Sequence, residues 1–200
     1  TFSLALLRTA RPFVYTLHDL QEFYYPANFS WTQRAFRRRV YSRLSERAAG
    51  IVCESEYVKS DIERLLGVAG DKVSVITAPP LGQPVAEFSD AQLTEVRERL
   101  GLQGRFFFYP AQFWPHKNHL RLVEAFRRVT SAEPDLKLVL TGKPRDEYDN
   151  VMQAVQRAGL ERSVLHLGYI AQADLQAIYH LATALVMPSL FESVSIPVYE

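Results

Sequence analysis

The chain has 200 residues, 48% hydrophobic and 22% charged, which is enough apolar material for one large α/β domain or two small ones and excludes extended disorder. Its 23 Lys and Arg against 22 Asp and Glu leave a formal charge of +1, so no global field steers it onto nucleic acid and an anionic ligand has to be met locally. The single cysteine, Cys53, allows no internal disulfide and fits a reducing compartment; in its apolar run it reads as a buried thiol.

Short β-rich runs alternate with amphipathic helical patterns, as in parallel sheets covered by helices. The first strand is expected at 13–17, ending at His18 and Asp19. Ser30-Trp31-Thr32-Gln33 is a capping box; the helix it opens carries Phe36, Val40, Leu44 and Ala48 on one face and should stop at Gly50. Its other faces hold Arg34, Arg37, Arg38, Arg39, Arg43 and Arg47. A strand follows at 51–53, a helix capped by Ser55 ends at Gly67, and another strand lies at 72–76. The proline-rich run at 79–84 breaks regular structure, so an interdomain connection is placed at about 78–88, dividing the chain into lobes 1–80 and 81–200. Ser89-Asp90-Ala91-Gln92 is a second capping box, on a helix closed by Gly101. Strands at 106–109, 136–140, 164–167 and 184–187 then alternate with helices at about 118–131, 147–158 and 172–182. That is a doubly wound, Rossmann-like series whose ligands sit beyond the carboxyl ends of the strands. Neither G-x-G-x-x-G nor G-x-x-x-x-G-K-[ST] occurs, so dehydrogenase and P-loop readings are weak.

No stretch has the apolar length of a membrane span, and the opening residues 1–8 are too short and poorly flanked for a secretory signal, so a cytoplasmic protein is expected. The chain lacks an initiator Met and stops inside what reads as a helix start. It is therefore expected to be a piece of a longer polypeptide.

Two segments carry chemistry. In the run Pro110 to Leu120, Asn118 is placed to cap a helix, which leaves Lys117 beside the positive end of the helix dipole. A phosphate held by the helix start and the ammonium resolves that conflict; a solvated loop lysine is the alternative. In the run Pro188 to Glu200, Pro197 suits the first turn of a helix, so the amides of Ser193, Val194 and Ser195 can face an anion. Glu192 and Glu200 bracket that turn. They suit sugar and ribose hydroxyls, or alternatively the helix dipole and the surface.

Tyr109-Pro110-Ala111-Gln112-Phe113-Trp114-Pro115-His116-Lys117-Asn118 resembles the GRL-x-x-x-KN turn of family-4-type retaining glycosyltransferases with the GT-B fold. Leu167-Gly168-Tyr169-Ile170, the run 182–189, and the glutamates spaced by seven as Glu192 and Glu200 resemble the rest of that family's donor site. His18-Asp19-Leu20 and the run Cys53 to Ile62 resemble its acceptor-domain segments. The likeness covers nearly the whole chain. It implies two Rossmann-like lobes, the first lacking its start and the second its end. It also implies transfer of a glycosyl group from a nucleoside diphosphate sugar to an acceptor hydroxyl, with retention. By the same resemblance Lys117 holds the donor's phosphates, Glu192 the sugar hydroxyls and Glu200 the ribose. Tyr169 and Ile170 lie by the base, and His18 reaches the sugar. Gln112 stands where the family has a phosphate-binding arginine, and Ser193 and Ser195 replace glycines, so the backbone there either avoids positive φ or is strained.

No Asp-x-Asp metal motif is present, so no metal or other cofactor is expected and the leaving diphosphate would be stabilised by Lys117 and helix-start amides. The expected partners are the nucleotide sugar and a saccharide or lipid-linked acceptor, with no nucleic acid. The arginine-rich helix reads either as a solvated face or, as the resemblance implies, as a contact with anionic lipid at the inner membrane surface. The rival functions are a nucleotide-sugar epimerase, a phosphorylase using a lysine-bound pyridoxal group, and a non-catalytic nucleotide-sugar-binding module.

Overall fold

The computed structural model describes residues 9–77 and 87–199. Two compact units emerge, Thr1–Pro79 with Glu192–Ser195, and Pro80–Phe191 with Ile196–Glu200. The expected connection at 78–88 falls mostly on residues 78–86, outside the described residues, as does Glu200.

In the first unit, strands β1 (Val14–Thr16), β2 (Gly50–Cys53) and β3 (Val73–Val75) form a parallel sheet in that order. Helices α1 (Gln21–Tyr24), α2 (Trp31–Arg47) and α3 (Glu56–Leu66) join them. Both reciprocal bonds of the box at Ser30 and Gln33 open α2, and the Ser55 hydroxyl accepts from the Val58 amide to open α3. Gly67, with φ of 68°, closes α3 in the left-handed conformation that favours glycine. Two details of α2 differ from the sequence reading. Its buried face is Val40, Tyr41, Leu44 and Ser45, whereas Phe36 is exposed. The helix ends at Ala48, leaving Gly50 to open β2. Leu17, Leu20, Val40, Leu44, Ile51, Val58 and Ile62 build the core with Cys53, whose thiol pKa is pushed up by burial.

In the second unit, α4 (Asp90–Arg99) starts from a complete capping box at Ser89 and Gln92. The parallel strands β4 (Phe106–Pro110), β5 (Lys137–Thr141), β6 (Val164–His166) and β7 (Ala184–Leu185) stand in the order β6-β5-β4-β7. Helices α5 (His119–Thr130), α6 (Tyr148–Arg157) and α7 (Gln172–Leu181) connect them, and α8 (Ile196–Tyr199) follows β7. β4 and β5 are buried on both faces, one against Val123, Phe126, Val151 and Val155 and the other against Leu102 and Ile178. This explains their near-continuous apolar sequences. The chain steps outward from β4 to β6 and then returns to place β7 on the other side of β4, so the topological switch lies between β4 and β7.

Candidate functional site

The carboxyl ends of β4 and β7 open into two loops, and the residues there bind one loop to the other. The Tyr109 ring at the end of β4 is fully buried. Its hydroxyl donates to the Lys117 carbonyl at 2.8 Å, leaving Ser189 Oγ, 2.9 Å away, to donate to it. The Leu190 amide donates to the His116 carbonyl at 2.8 Å. Asn118 Nδ2 donates to the Pro188 carbonyl at 2.9 Å. The role expected for Asn118 is thereby corrected: it occupies the N-cap position of α5 but makes no side-chain cap bond. Its φ of 62° is left-handed, a conformation asparagine tolerates better than other side chains, and its amide is committed to the other loop.

Lys117 ends a 3-10 turn, Pro115–Lys117, immediately before Asn118 and α5. Its amide bonds the Trp114 carbonyl at 2.9 Å and its carbonyl the Tyr109 hydroxyl, so the backbone beneath the half-buried lysine is fixed at both ends.

A third loop, after β5, closes against the first. A Cβ on Gly142, whose φ is 114°, would lie 2.6 Å from the Ala111 carbonyl oxygen, so only glycine fits that approach. The Phe113 amide bonds the Lys143 carbonyl at 3.5 Å, and the Glu147 amide bonds the Phe113 carbonyl at 3.0 Å. Between those ties Arg145 Nε donates to Gln112 Oε1 at 2.8 Å, with its guanidinium 5.2 Å from the Trp114 ring centre. Lys143 Nζ sits 4.9 Å over the ring of Tyr169, which is 76% exposed. Ile170, its expected companion, is half-buried and packs against the cluster that holds Phe108 and Ile178.

Below these loops His119 is 2% exposed, stacked on Phe113 at 4.3 Å between centroids, and neither ring nitrogen finds a hydrogen-bond partner. Burial lowers its pKa to about 4, with the Ala111 backbone working against the shift and Lys117 and His166 adding to it. His166 Nε2 lies 3.0 Å from the Gly142 carbonyl, which assigns its proton to that nitrogen.

Glu192, Ser193, Val194 and Ser195 are half-buried and precede α8, whose first turn contains Pro197. Among the described residues Asn118 is the non-glycine with positive φ, so Ser193 and Ser195 avoid that conformation and carry no such strain.

In the first unit, register does the positioning. Thr16 pairs with Val52, so His18 and Glu54 leave neighbouring strands at the same level, and His18 Nδ1 meets Glu54 Oε1 at 2.8 Å. If Nδ1 carries the proton, Nε2 presents its lone pair outward from a side chain 66% exposed. Asp19 turns the other way and accepts from Arg37 at 2.8 Å. Arg37 also donates at 3.0 Å to Glu22, whose side chain is fully buried. Burial raises the Glu22 pKa, and Arg37 opposes the rise.

Sequence reasoning missed Glu54, Arg145 and the Asn118–Pro188 link. Strand register was the available signal for Glu54; the end of the strand at 136–140 marked the segment 141–146 but not Arg145 within it, and nothing local marked the Asn118–Pro188 link. Among the described residues no three His, Cys, Asp or Glu side chains gather as metal ligands, and no helix is long and apolar enough to cross a membrane.

Two parallel-stranded units, the second with hydrogen-bonded loops at its switch point, are Rossmann-like and of the GT-B type, and comparison with known proteins gives the family. Residues 93–200 match Glycosyl transferases group 1 and residues 1–78 match Glycosyltransferase Family 4. The chain belongs to the group 1 glycosyl transferases. It is 26% identical over 190 residues to O-antigen chain mannosyltransferase B of Escherichia coli, covering 94% of this chain and 49% of that protein. It is also 26% identical over 185 residues to O-antigen chain mannosyltransferase RfbU of Salmonella typhimurium, covering 92% and 48%. Among solved structures, HepE of Anabaena in complex with UDP and glucose superposes with a TM-score of 0.76 at 22% identity, over 92% of this chain and 48% of HepE. The chain spans about half the length of the curated relatives it matches.

Proposed function

We propose that this chain carries the donor site of a retaining glycosyltransferase that moves a hexosyl group, with mannosyl favoured by the names of its relatives, from a nucleoside diphosphate sugar to a saccharide or lipid-linked hydroxyl. The observation that supports this most is the hydrogen-bonded pair of loops at the switch point, which fixes the Lys117 backbone at the start of α5. An ammonium held there ahead of a helix N-terminus is suited to the charge that develops on a departing diphosphate. In this reading no metal is needed at the phosphates, because Lys117 and the first amides of α5 supply the positive potential. Glu192 and Glu200 hold sugar and ribose hydroxyls, Tyr169 lies by the base, and Ser193 to Ser195 flank the sugar. His18, oriented by Glu54, offers Nε2 to a sugar hydroxyl. The domain division proposed is 1–80 for the acceptor side and 81–200 for the donor side.

The test is a transfer assay on the purified protein with GDP-mannose, UDP-glucose and other common nucleotide sugars, reading the anomeric configuration of the product by NMR. Lys117→Ala should weaken nucleoside diphosphate binding by about 1.5–3 kcal/mol, the range for hydrogen bonds to charged groups, and leave nucleoside binding intact. An inverted product would overturn retention, and equal losses for nucleoside and diphosphate would remove Lys117 from the phosphates.

The exposed face of α2 carries Arg38, Arg39 and Arg43 with Trp31 and Phe36. This supports peripheral contact with anionic lipid. Co-sedimentation with phosphatidylglycerol vesicles but not phosphatidylcholine vesicles is the expected result, and equal sedimentation with both would reject it.

A further inference from the structure

The guanidinium expected in the first loop is missing because residue 112 is glutamine, yet a guanidinium arrives at that residue from another loop. We propose that Arg145 is a diphosphate-binding residue of the donor site and supplies the forked cation that Gln112 does not. The inference rests on the donor-site reading above and adds a residue to it.

Three observations carry it. First, Arg145 sits on a turn whose two sides are tied to one residue: the Phe113 amide bonds the Lys143 carbonyl and the Phe113 carbonyl accepts from the Glu147 amide. The close approach of Gly142 to Ala111 anchors the same turn one step earlier. The loop after β5 therefore delivers Arg145 to the first loop by backbone contacts, independently of its own side chain.

Second, the side chain is aimed as well as delivered. Nε donates to Gln112 Oε1 at 2.8 Å, and the guanidinium plane lies over Trp114, 5.2 Å from the ring centre. Those contacts engage Nε and one face. They leave the two terminal nitrogens as a fork, the geometry that pairs with phosphate oxygens through parallel hydrogen bonds. Among the described residues Arg145 makes no other side-chain hydrogen bond.

Third, the contact uses what Gln112 is. An arginine at position 112 would put two guanidinium groups together, whereas glutamine offers a neutral acceptor that orients its neighbour. A phosphate facing this loop would meet Lys117, ahead of α5, and Arg145, from the loop after β5. Because the Arg145 side chain is held before binding, little of its freedom is lost on association.

The experiment is calorimetric titration of the purified protein and its variants with GDP, UDP, guanosine, uridine and inorganic pyrophosphate. R145Q should weaken the preferred diphosphate about tenfold or more, while the matching nucleoside changes less than about twofold. R145K should recover part of the loss, since an ammonium keeps the charge without the fork. The double variant Q112R/R145Q should recover more, by returning a guanidinium to the same place from the other loop. If K117A weakens diphosphate binding and R145Q does not, the assignment of Arg145 is overturned and the donor site stands. Equal losses for nucleoside and diphosphate in R145Q make the arginine a loop-packing residue and also overturn it. If neither GDP nor UDP binds the unaltered protein, the donor-site reading fails, and Arg145 with it.

Discussion

Asn118 donates from its side chain to the Pro188 carbonyl at 2.9 Å while its own backbone is left-handed, with φ of 62°. One residue thus meets two demands, a turn that most side chains resist and a bond to the loop beyond β7. The two demands are separable by substitution. Asn118→Gly keeps the turn and loses the bond, costing about 1 kcal/mol, whereas Asn118→Ala loses the bond and adds about 1–2 kcal/mol of backbone strain. Urea denaturation of both variants checks this, and equal stabilities would remove the strain from the account.

His119 should make stability depend on pH. Its folded pKa of about 4 lies below the ordinary histidine value of 6.5. Above the unfolded value both states are neutral, so the full stability is present. As pH falls from about 6.5 to about 4 the unfolded state takes up a proton that the native state refuses, and about 3 kcal/mol is lost. His119→Phe keeps the stack on Phe113 and cannot be protonated. Its denaturation midpoints should fall less steeply across that window, and an unchanged slope would place the pH dependence elsewhere.

Arg37 is expected to be the structural member of the arginine-rich helix. Arg37→Ala leaves the fully buried Glu22 without its cation, a change that costs about 3–5 kcal/mol when a buried pair is broken. Burial already raises the Glu22 pKa. Removing Arg37 raises it further, so the native carboxyl gains a proton at higher pH than the unfolded one. The loss should therefore be greatest at neutral pH and shrink on acidification, as read by thermal melts at pH 7 and pH 5. Arg39→Ala, on the exposed side, should change little.

The two glutamates should separate kinetically. In the role proposed for it, Glu192→Gln removes a charge and half the acceptor capacity facing the sugar, so kcat should fall, since orientation of the sugar matters most in the transition state. Glu200→Gln should raise the donor KM with kcat nearly unchanged, because the ribose is remote from the reacting bond. Identical behaviour in steady-state kinetics would remove the roles assigned to both.

Local signals in the sequence were read correctly where the structure depends on local bonds. The boxes at Ser30–Gln33 and Ser89–Gln92 open α2 and α4 as expected, because both partners lie within one turn. Periodicity located α2 but misplaced its face: Phe36 lies outside and Tyr41 inside, since a helical pattern leaves the angular position of a wide apolar stripe open by a residue or so. Residues of the candidate site were legible as segments, through the runs after β4 and β7. Their partners were not, because Asn118 and Pro188 are 70 positions apart and Gln112 and Arg145 are 33 apart. Only the strand order brings such positions together.

Two of the joints between the β4 and β7 loops end on main-chain carbonyls, at His116 and Pro188. A carbonyl is present whatever the side chain, so replacing His116 or Pro188 leaves the acceptor in place provided the backbone path is kept. Spacing has no such tolerance. Inserting or deleting one residue between Tyr109 and Asn118, or between Leu185 and Leu190, moves every acceptor out of register at once. For anyone altering the proposed donor site, these loops are open to new letters but closed to new lengths.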